Sequence, residues 1–391
     1  MRLPFNYQNI NSKHLSSQFT SPSVYFHYPS RPGLHAIALP LAGFSIENLW
    51  KRFIIQGFAA FSIFVLMRVF RGLPNAASRA PCALTIGNFD GVHRGHQALL
   101  AHLRAAADRL GLEAAVMTFE PHPREFFAQV TKGAIEAPAR IASLRDKLRS
   151  LSNNRVDRVI VEHFNAHFAA LSPEDFVEKI LVQGLHVKWL MVGEDFCFGA
   201  RRAGNLDYLV DAGRRHGFHV ESLSTVTNGD QRISSSAIRA ALAAGDFAGA
   251  AQMLGHSYTI SGHVIHGQKL GRNLGFPTLN LRVAHKNPAL SGIFVVLVHG
   301  LAEQPLPAVA SLGVRPTVDD SGRVLLETHV LDYAGDCYGK VVQVEFLKKL
   351  RDEEKYDDLP TLTAAIMRDA EQARGHFRET GMMAVSATDR I

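Results

Sequence analysis

Two unlike halves are predicted: an α/β domain built on a parallel sheet over residues 67–255, then a small closed antiparallel β-barrel over 256–380 with one terminal helix outside it. Three observations carry that expectation. Apolar strand-length runs alternate with helical stretches as far as Gly255, no strong helix recurs until about Leu359, and short β-rich runs separated by turns fill the interval. At 391 residues, 47% hydrophobic and 20% charged, the chain is long enough for two or three domains with real cores, and reads as soluble and globular.

Residues 1–66 are rich in Ser, Asn and aromatics and show no sustained period before Phe53–Met67, whose apolar run is shorter than the roughly 20 residues that span a bilayer. Five basic residues (Arg2, Lys13, Arg31, Lys51, Arg52) against one acid (Glu47) give this stretch +4 of the net +6. The remainder is nearly neutral, which argues against nucleic acid as a partner despite a sequence pI near 9.3. A membrane anchor, a targeting peptide and an extension from an early start codon are the competing readings of 1–66. Cys82, Cys197 and Cys337 lie far apart without CxxC spacing, so neither a disulfide framework nor a zinc ribbon is expected, and a reducing, cytoplasmic compartment fits. Small molecules are the expected partners, stable membrane association is not expected, and a homo-oligomer is compatible with the chain.

Ala83–Ile86 has the length and apolarity of a buried parallel strand, Gly87, Gly91 and Gly95 punctuate the loop after it, and Gln97–Leu110 is strongly helix-forming. A strand, a glycine turn and a helix N-terminus together turn unpaired N–H groups toward an anion, and His93 and His96 would face the same one. A nucleotide phosphate is the natural guest. Zinc is not, because the two histidines lack helical i, i+4 spacing and a completing Cys or carboxylate. The string Gly87, Asn88, Phe89, Asp90, Gly91, Val92, His93, Arg94, Gly95, His96 resembles the signature of the HxGH nucleotidyltransferases. In this form it is similar to the FAD synthetase module of bacterial bifunctional riboflavin kinase/FAD synthetases. That resemblance implies a Rossmann-like sheet, ATP and FMN as substrates, Gly87 to Gly91 at the nucleotide, and His93 and His96 in catalysis. Met67-Arg-Val-Phe-Arg-Gly-Leu-Pro resembles the usual beginning of the family, which favours the early-start reading of 1–66, with the tail beginning at 381.

Further along, Glu113–Phe119, Asp157–Val161 and Lys188–Val192 read as buried strands, with helical stretches at 138–151, 173–183 and 204–216. Three motifs fall at strand ends, where open sheets bind ligands. Phe119-Glu-Pro-His-Pro123 reads by itself as a rigid proline loop, and by resemblance places His122 in the substrate cleft. Gly193-Glu-Asp-Phe-Cys-Phe-Gly199 reads as a turn, and by resemblance brings Asp195, Phe196 and Phe198 to nucleotide and flavin, with Cys197 where a basic residue is common. Ile233-Ser-Ser-Ser-Ala-Ile-Arg239 opens a helix over Ala237–Ala244. One serine suffices as N-cap; Ser234, Ser235 and Ser236 together with Arg239 suggest a second anion site, similar to the family's Ile-Ser-Ser-Thr-x-Ile-Arg. Adenylyl transfer needs no activated Ser or Cys, since the FMN phosphate is already nucleophilic; alignment and charge stabilisation remain.

A short helix between Gly245 and His256 closes the first domain. Six runs then suggest the barrel: Tyr258–Ile265, Phe276–Leu281, Gly292–His299, Pro307–Leu312, Val324–Tyr333 and Lys340–Phe346, with Pro360–Glu371 as the outer helix. Gly262, Gly267, Gly271 and Gly275, with Lys269 among them, form a flexible stretch able to wrap phosphates but lacking the P-loop ending. Thr278 and Asn280, two apart on a strand, would project to one face and offer neutral oxygens to Mg²⁺. The segment around Pro277 is similar to the Pro-Thr-Ala-Asn motif of riboflavin kinases, with Leu279 replacing Ala and turned to the opposite face. Glu327 lies at the position of the family's general base, and Arg351 is a candidate flavin or nucleotide contact. The resemblance covers about Met67 to Gly375 and implies riboflavin phosphorylation to FMN, then adenylylation to FAD. An HxGH adenylyltransferase for another phosphate ester with a non-catalytic barrel, and a non-catalytic flavin-binding protein, are the rival expectations.

Overall fold

The computed structural model describes residues 67–224, 227–228, 231–267, 271, 275–283, 287–314 and 324–382, together with a backbone pairing of Ser23–Val24 against Arg68 and Val69. The remainder of the 1–66 extension, Lys269 and the 381–391 tail beyond Met382 lie outside the described residues.

Six parallel strands build the first half: β1 (Arg68–Arg71), β2 (Cys82–Ile86), β3 (Glu113–Phe119), β4 (Arg158–Glu162), β5 (Val187–Gly193) and β6 (His219–Leu223). Their order across the sheet is β1-β4-β3-β2-β5-β6, which is the Rossmann-like arrangement expected. Strand β2 sits where the order reverses, between β3 and β5. Its residues alternate between two cores, Ala83 toward one face and Cys82, Leu84 and Ile86 toward the other, so both faces are covered. Helix α1 (Arg94–Leu110) follows β2, α2 (Pro123–Val130) follows β3, and α3 (Leu144–Asn153) precedes β4. The stretch 173–183 begins at Pro173 behind the Ser172 cap and is wound as a π-helix over Phe176–Gly184. Helix α4 (Leu206–His216) precedes β6.

The helix expected over 138–151 starts six residues later. Ser143 caps it by accepting the Asp146 N–H at 3.1 Å, while residues 139–142 stay out of helix because their backbone groups serve other partners described below. The proline loop at 119–123 is shorter than expected, since His122 caps α2 and Pro123 is its first residue.

Helices α5 (Ser235–Ala243) and α6 (Phe247–Leu254) join the halves. Ile238, Leu242, Phe247, Ala250 and Leu254 belong to the same core as the barrel interior, and the Phe247 ring lies 5.9 Å from Phe294 and 6.0 Å from Phe346. The packing boundary therefore precedes residue 255: these two helices plug the barrel's end.

The barrel itself closes from β7 (Thr259–Ile265), β8 (Leu279–Arg282), β9 (Gly292–His299), β10 (Leu306–Val314), β11 (Val324–Val330) and β12 (Val341–Arg351), in the order β7-β8-β11-β10-β9-β12 and antiparallel throughout. Helix α7 (Leu359–Glu379), capped by Asp358, lies on its outer wall and buries Ala370, Ala373 and Phe377 against Val295, Leu297, Val309 and Leu331. It runs eight residues past the expected Glu371, because this apolar face continues to Phe377.

Phe247→Ala should cost about 3–5 kcal/mol in chemical denaturation, because it empties a plug shared by both halves. Met367→Ala, on the solvent side of α7, should stay within about 0.5 kcal/mol.

Candidate active sites

The first site lies at the carboxyl ends of β2 and β3. His93 is the N-cap of α1: its Nδ1 accepts the His96 N–H at 3.3 Å, so the two imidazoles come together as expected, stacked with centroids 3.7 Å apart. His93 is buried, and burial pushes its pKa down to about 4. Burial likewise holds His96 well below its ordinary value, helped by the charges of His93 and Lys147. Nδ1 of His96 is buried with no hydrogen-bond partner among the described residues.

Asp90 organises the loop between β2 and α1. It is 1% exposed, and Oδ1 accepts the Ile141 and Ala142 N–H groups, each at 3.1 Å, while Oδ2 accepts from Arg239 Nη2 at 2.7 Å. Arg239 also donates through Nε to Ala139 O, and Ser235 Oγ donates to Asp90 O at 3.2 Å. Ser234 is the N-cap of α5, accepting the Ala237 N–H, so one serine of the three is spent as expected. Two assignments change here. Asp90 is a buried structural anion, and Arg239 is its counter-charge instead of an open anion ligand, because a buried carboxylate left unpaired is costly.

The other four residues of the Gly87–Gly91 string also serve the local structure. Phe89 is fully buried in the core at φ +48, and Gly91, at φ +83, leaves room where a Cβ would come within 2.8 Å of Ile141 Cγ2. Gly87 N–H continues the sheet by donating to Met117 O at 3.1 Å, and Asn88 O accepts from Thr118 Oγ1 at 3.1 Å. On the loop after the neighbouring strand β5, Asp195 is exposed and Phe196 half-buried. Phe198 instead turns into the core, 5.1 Å from Phe176 and 5.8 Å from Tyr208, so it is not free to stack on a ligand.

His122 is brought to the same strand ends. It is buried, its Nδ1 accepts the Arg124 N–H, and burial together with the Arg140 charge pushes its pKa down to about 4. Around it stand residues that sequence reasoning missed. Arg140, 3% exposed, bridges Glu120 (2.8 Å) and Glu125 (2.5 and 2.6 Å), and Lys147, 1% exposed, reaches Thr118 Oγ1 at 3.2 Å. A signal was present for Lys147: it shares the apolar face of α3 with Leu144, Leu148 and Leu151.

The second site is a cavity of about 250 Å³ on the barrel's outer wall, beneath α7. It is not inside the barrel, because Leu279, Leu281, Leu326 and Ala310 fill that space. Asn280 on β8 and Ser311 on β10 flank Glu327 on β11 in direct register, so the three share one face. Thr278, Asn280, Glu327 and Arg351 line the same cavity. Thr278 precedes β8 instead of lying on it, and Leu279 turns inward as expected. Asn280 is 4% exposed, and its Oδ1 is buried without a partner among the described residues. Arg351 grips Asp369 of α7 through two hydrogen bonds of 2.9 and 2.6 Å. Asp369 was missed, as was Glu353, which accepts from Ser311 Oγ at 3.2 Å and whose pKa is raised by burial and the Glu327 charge.

Of the glycines expected to wrap phosphates, Gly271 lines the cavity, whereas Gly262 is buried in β7 against Leu281, where a Cβ would stand 3.0 Å from Cδ2. Gly275 takes φ +87 in the turn before Phe276, and Pro277 O accepts from His329 Nδ1 at 2.9 Å, tying that turn to β11. Among the described residues no group of three His, Cys, Asp or Glu is arranged to hold a metal, and no helix is long and apolar enough to cross a membrane.

Two family models match: FAD synthetase over residues 75–237 and riboflavin kinase over 254–377. The bifunctional riboflavin kinase/FMN adenylyltransferase of Escherichia coli K12 is 46% identical over 80% of this chain and 98% of its own length. The protein of the same description from Pseudomonas fluorescens is 46% identical over 79% and 97%. A solved structure described as a macrolide-efflux protein from Streptococcus pneumoniae is 27% identical, with a TM-score of 0.60 over 78% of this chain and 98% of that one. With both models in sequence order and relatives of this identity matched over nearly their whole length, the chain belongs to the family of bifunctional riboflavin kinase/FMN adenylyltransferases.

Proposed function

We propose that this enzyme makes FAD from riboflavin in two ATP-dependent steps, each run in its own pocket by the residues assembled there. The reading rests on one observation above others: the two histidines and the Glu327 cavity occupy separate halves, each within its own matched range.

In the kinase pocket, Glu327 takes the proton of the terminal ribityl hydroxyl as its oxygen attacks the γ-phosphorus of ATP, and ADP leaves. Ser311 and Asn280 flank the carboxylate and restrict where the hydroxyl docks. A buried amide oxygen without a partner suits a hard cation, so Thr278 and Asn280 are the residues that would hold Mg²⁺. Bound there, Mg²⁺ supplies charge neutralisation for the transferring phosphoryl group. Arg351, its fork occupied by Asp369, presents the rest of its side chain to the cavity and orders the wall under α7.

In the sheet pocket, an FMN phosphate oxygen attacks the α-phosphorus of ATP, and the bond to pyrophosphate breaks. Because His93 Nδ1 is an acceptor in the helix cap, the neutral ring carries its proton on Nε2 and offers it as a donor. His96 lies directly beneath, and the N-terminus of α1 adds its dipole, so negative charge developing on the phosphates meets aligned donors. Asp195 and Phe196 border the flavin side of the crevice, and Ser236, exposed at the start of α5, borders the phosphate side. The reactions take place in the cytoplasm, in keeping with three cysteines that lie far apart in sequence without CxxC spacing.

Glu327→Gln should lower riboflavin phosphorylation by about 10²–10⁴-fold while supplied FMN is still converted to FAD. His93→Ala should do the reverse and let FMN accumulate. Product chromatography reads both, and full phosphorylation by Glu327→Gln would remove Glu327 as the base.

The pKa of His93 and that of His122 both fall from 6.5 to about 4 on folding, so between those values the unfolded chain binds protons that the folded one does not. Their contribution is complete above about pH 6.5 and is lost as pH falls toward 4. Urea denaturation should therefore give lower stability at pH 5 than at pH 7, and His122→Asn, which keeps a capping side chain, should narrow that difference.

A further inference from the structure

Lys147 is a buried charge beside the adenylyl site to which the two-step reaction gives no role. It is 1% exposed, and its Nζ donates to Thr118 Oγ1, which in turn donates to Asn88 O. A hydroxyl has one proton to give, so the ammonium on its lone pairs dictates that the proton points at the Asn88 carbonyl. The loop held this way is strained. Phe89 at φ +48 and the β-branched Val92 at φ +41 adopt left-handed backbone that needs outside constraint, and His93 follows directly.

Charge makes a second, independent argument. The groups facing Lys147 are Arg140, Glu120 and Glu125 beside α2, Asp90 from the β2 loop, and His96 and His122. With Arg239 on Asp90, three cations (Lys147, Arg140, Arg239) balance three carboxylates (Asp90, Glu120, Glu125) while the histidines are neutral. Remove the lysine charge and the floor of the pocket becomes net negative, the wrong sign for a triphosphate.

We propose that Lys147 is a positioning residue of FMN adenylylation, fixing the His93/His96 loop through Thr118 and keeping the pocket floor from turning negative. The proposal rests on the assignment of adenylyl transfer to the His93/His96 site. Burial and the Arg140 charge push the lysine's pKa down to about 8, so in the free enzyme the charge is present below that pH and lost above it. Adenylylation alone should therefore carry a basic limb.

The test is kcat/KM for both reactions of the full chain from pH 6.5 to 9.5, for wild type, Lys147→Met, Thr118→Val and His93→Ala. In wild type, adenylylation should fall above about pH 8 and riboflavin phosphorylation should not. Lys147→Met should lose about 100-fold in adenylylation, together with the limb, and phosphorylate riboflavin within twofold of wild type. Thr118→Val should lose rate but keep the limb, since the ammonium remains. A wild-type adenylylation profile flat through pH 8, or a Lys147→Met enzyme that keeps either the full rate or the limb, overturns the proposal. If His93→Ala adenylylates normally, the site assignment itself fails; if it does not while Lys147→Met does, only the role of Lys147 falls.

Discussion

Asp90 ties together three stretches of chain that are far apart in sequence: the loop after β2, the non-helical segment 139–142, and the start of α5. A carboxylate 1% exposed needs full compensation, and it receives two backbone N–H groups and a guanidinium. Everything at the first site is set relative to this knot. It aims the N-terminus of α1 and its histidines, brings the serines of α5 alongside, and holds residues 139–142 out of helix, so that α3 begins at Leu144 behind its Ser143 cap and carries Lys147 inward. That segment and the first turn of α3 reach the other half, where Arg140 N–H donates to Asn287 O and the Asp146 carboxylate accepts Ser261 N–H at 3.3 Å. The geometry of the adenylyl pocket and the seating of the barrel thus depend on one short strap.

On the proposed reading, the two pockets meet ATP in different ways. One lies at the reversal point of an open parallel sheet and offers helix termini and neutral imidazole donors, whereas the other lies on the outer wall of a closed barrel, where antiparallel register places Asn280, Glu327 and Ser311 side by side. Sheet topology produces the first and strand register the second. The plug formed by α5 and α6 connects them through packing, with Phe247 in the barrel core and Arg239 at the sheet site.

Much of this was legible in the chain. Alternating strand and helix patterns and the later run of six strands identified both architectures, since each follows from local periodicity and turn chemistry. The convergence of His93 with His96, and of Thr278 and Asn280 with Glu327, was also readable, because the motifs are short and their spacing fixes direction. What the motifs did not reveal is which of their members face a ligand. Phe89, Asp90, Gly91, Phe198 and Gly262 lie in or beside binding strings, yet face inward to partners such as Ile141, Phe176 and Leu281 from distant segments. Arg239 was misjudged for the same reason, since its partner stands 149 residues away. Lys147, Arg140 and Asp369 went unnoticed because no local motif contains them; a lysine on an apolar helix face was the one available sign.

The dependence on Asp90 is open to a direct measurement: hydrogen exchange on Asp90→Asn beside wild type, read at the amides of Ile141 and Ala142. The substitution keeps size and shape but leaves Arg239 without its counter-charge, a change that costs about 3–5 kcal/mol when a buried pair is broken. The account requires both amides and the first turn of α5 to lose protection, while β10 and β11 of the barrel exchange as before. Unchanged protection at Ile141 and Ala142 would contradict it.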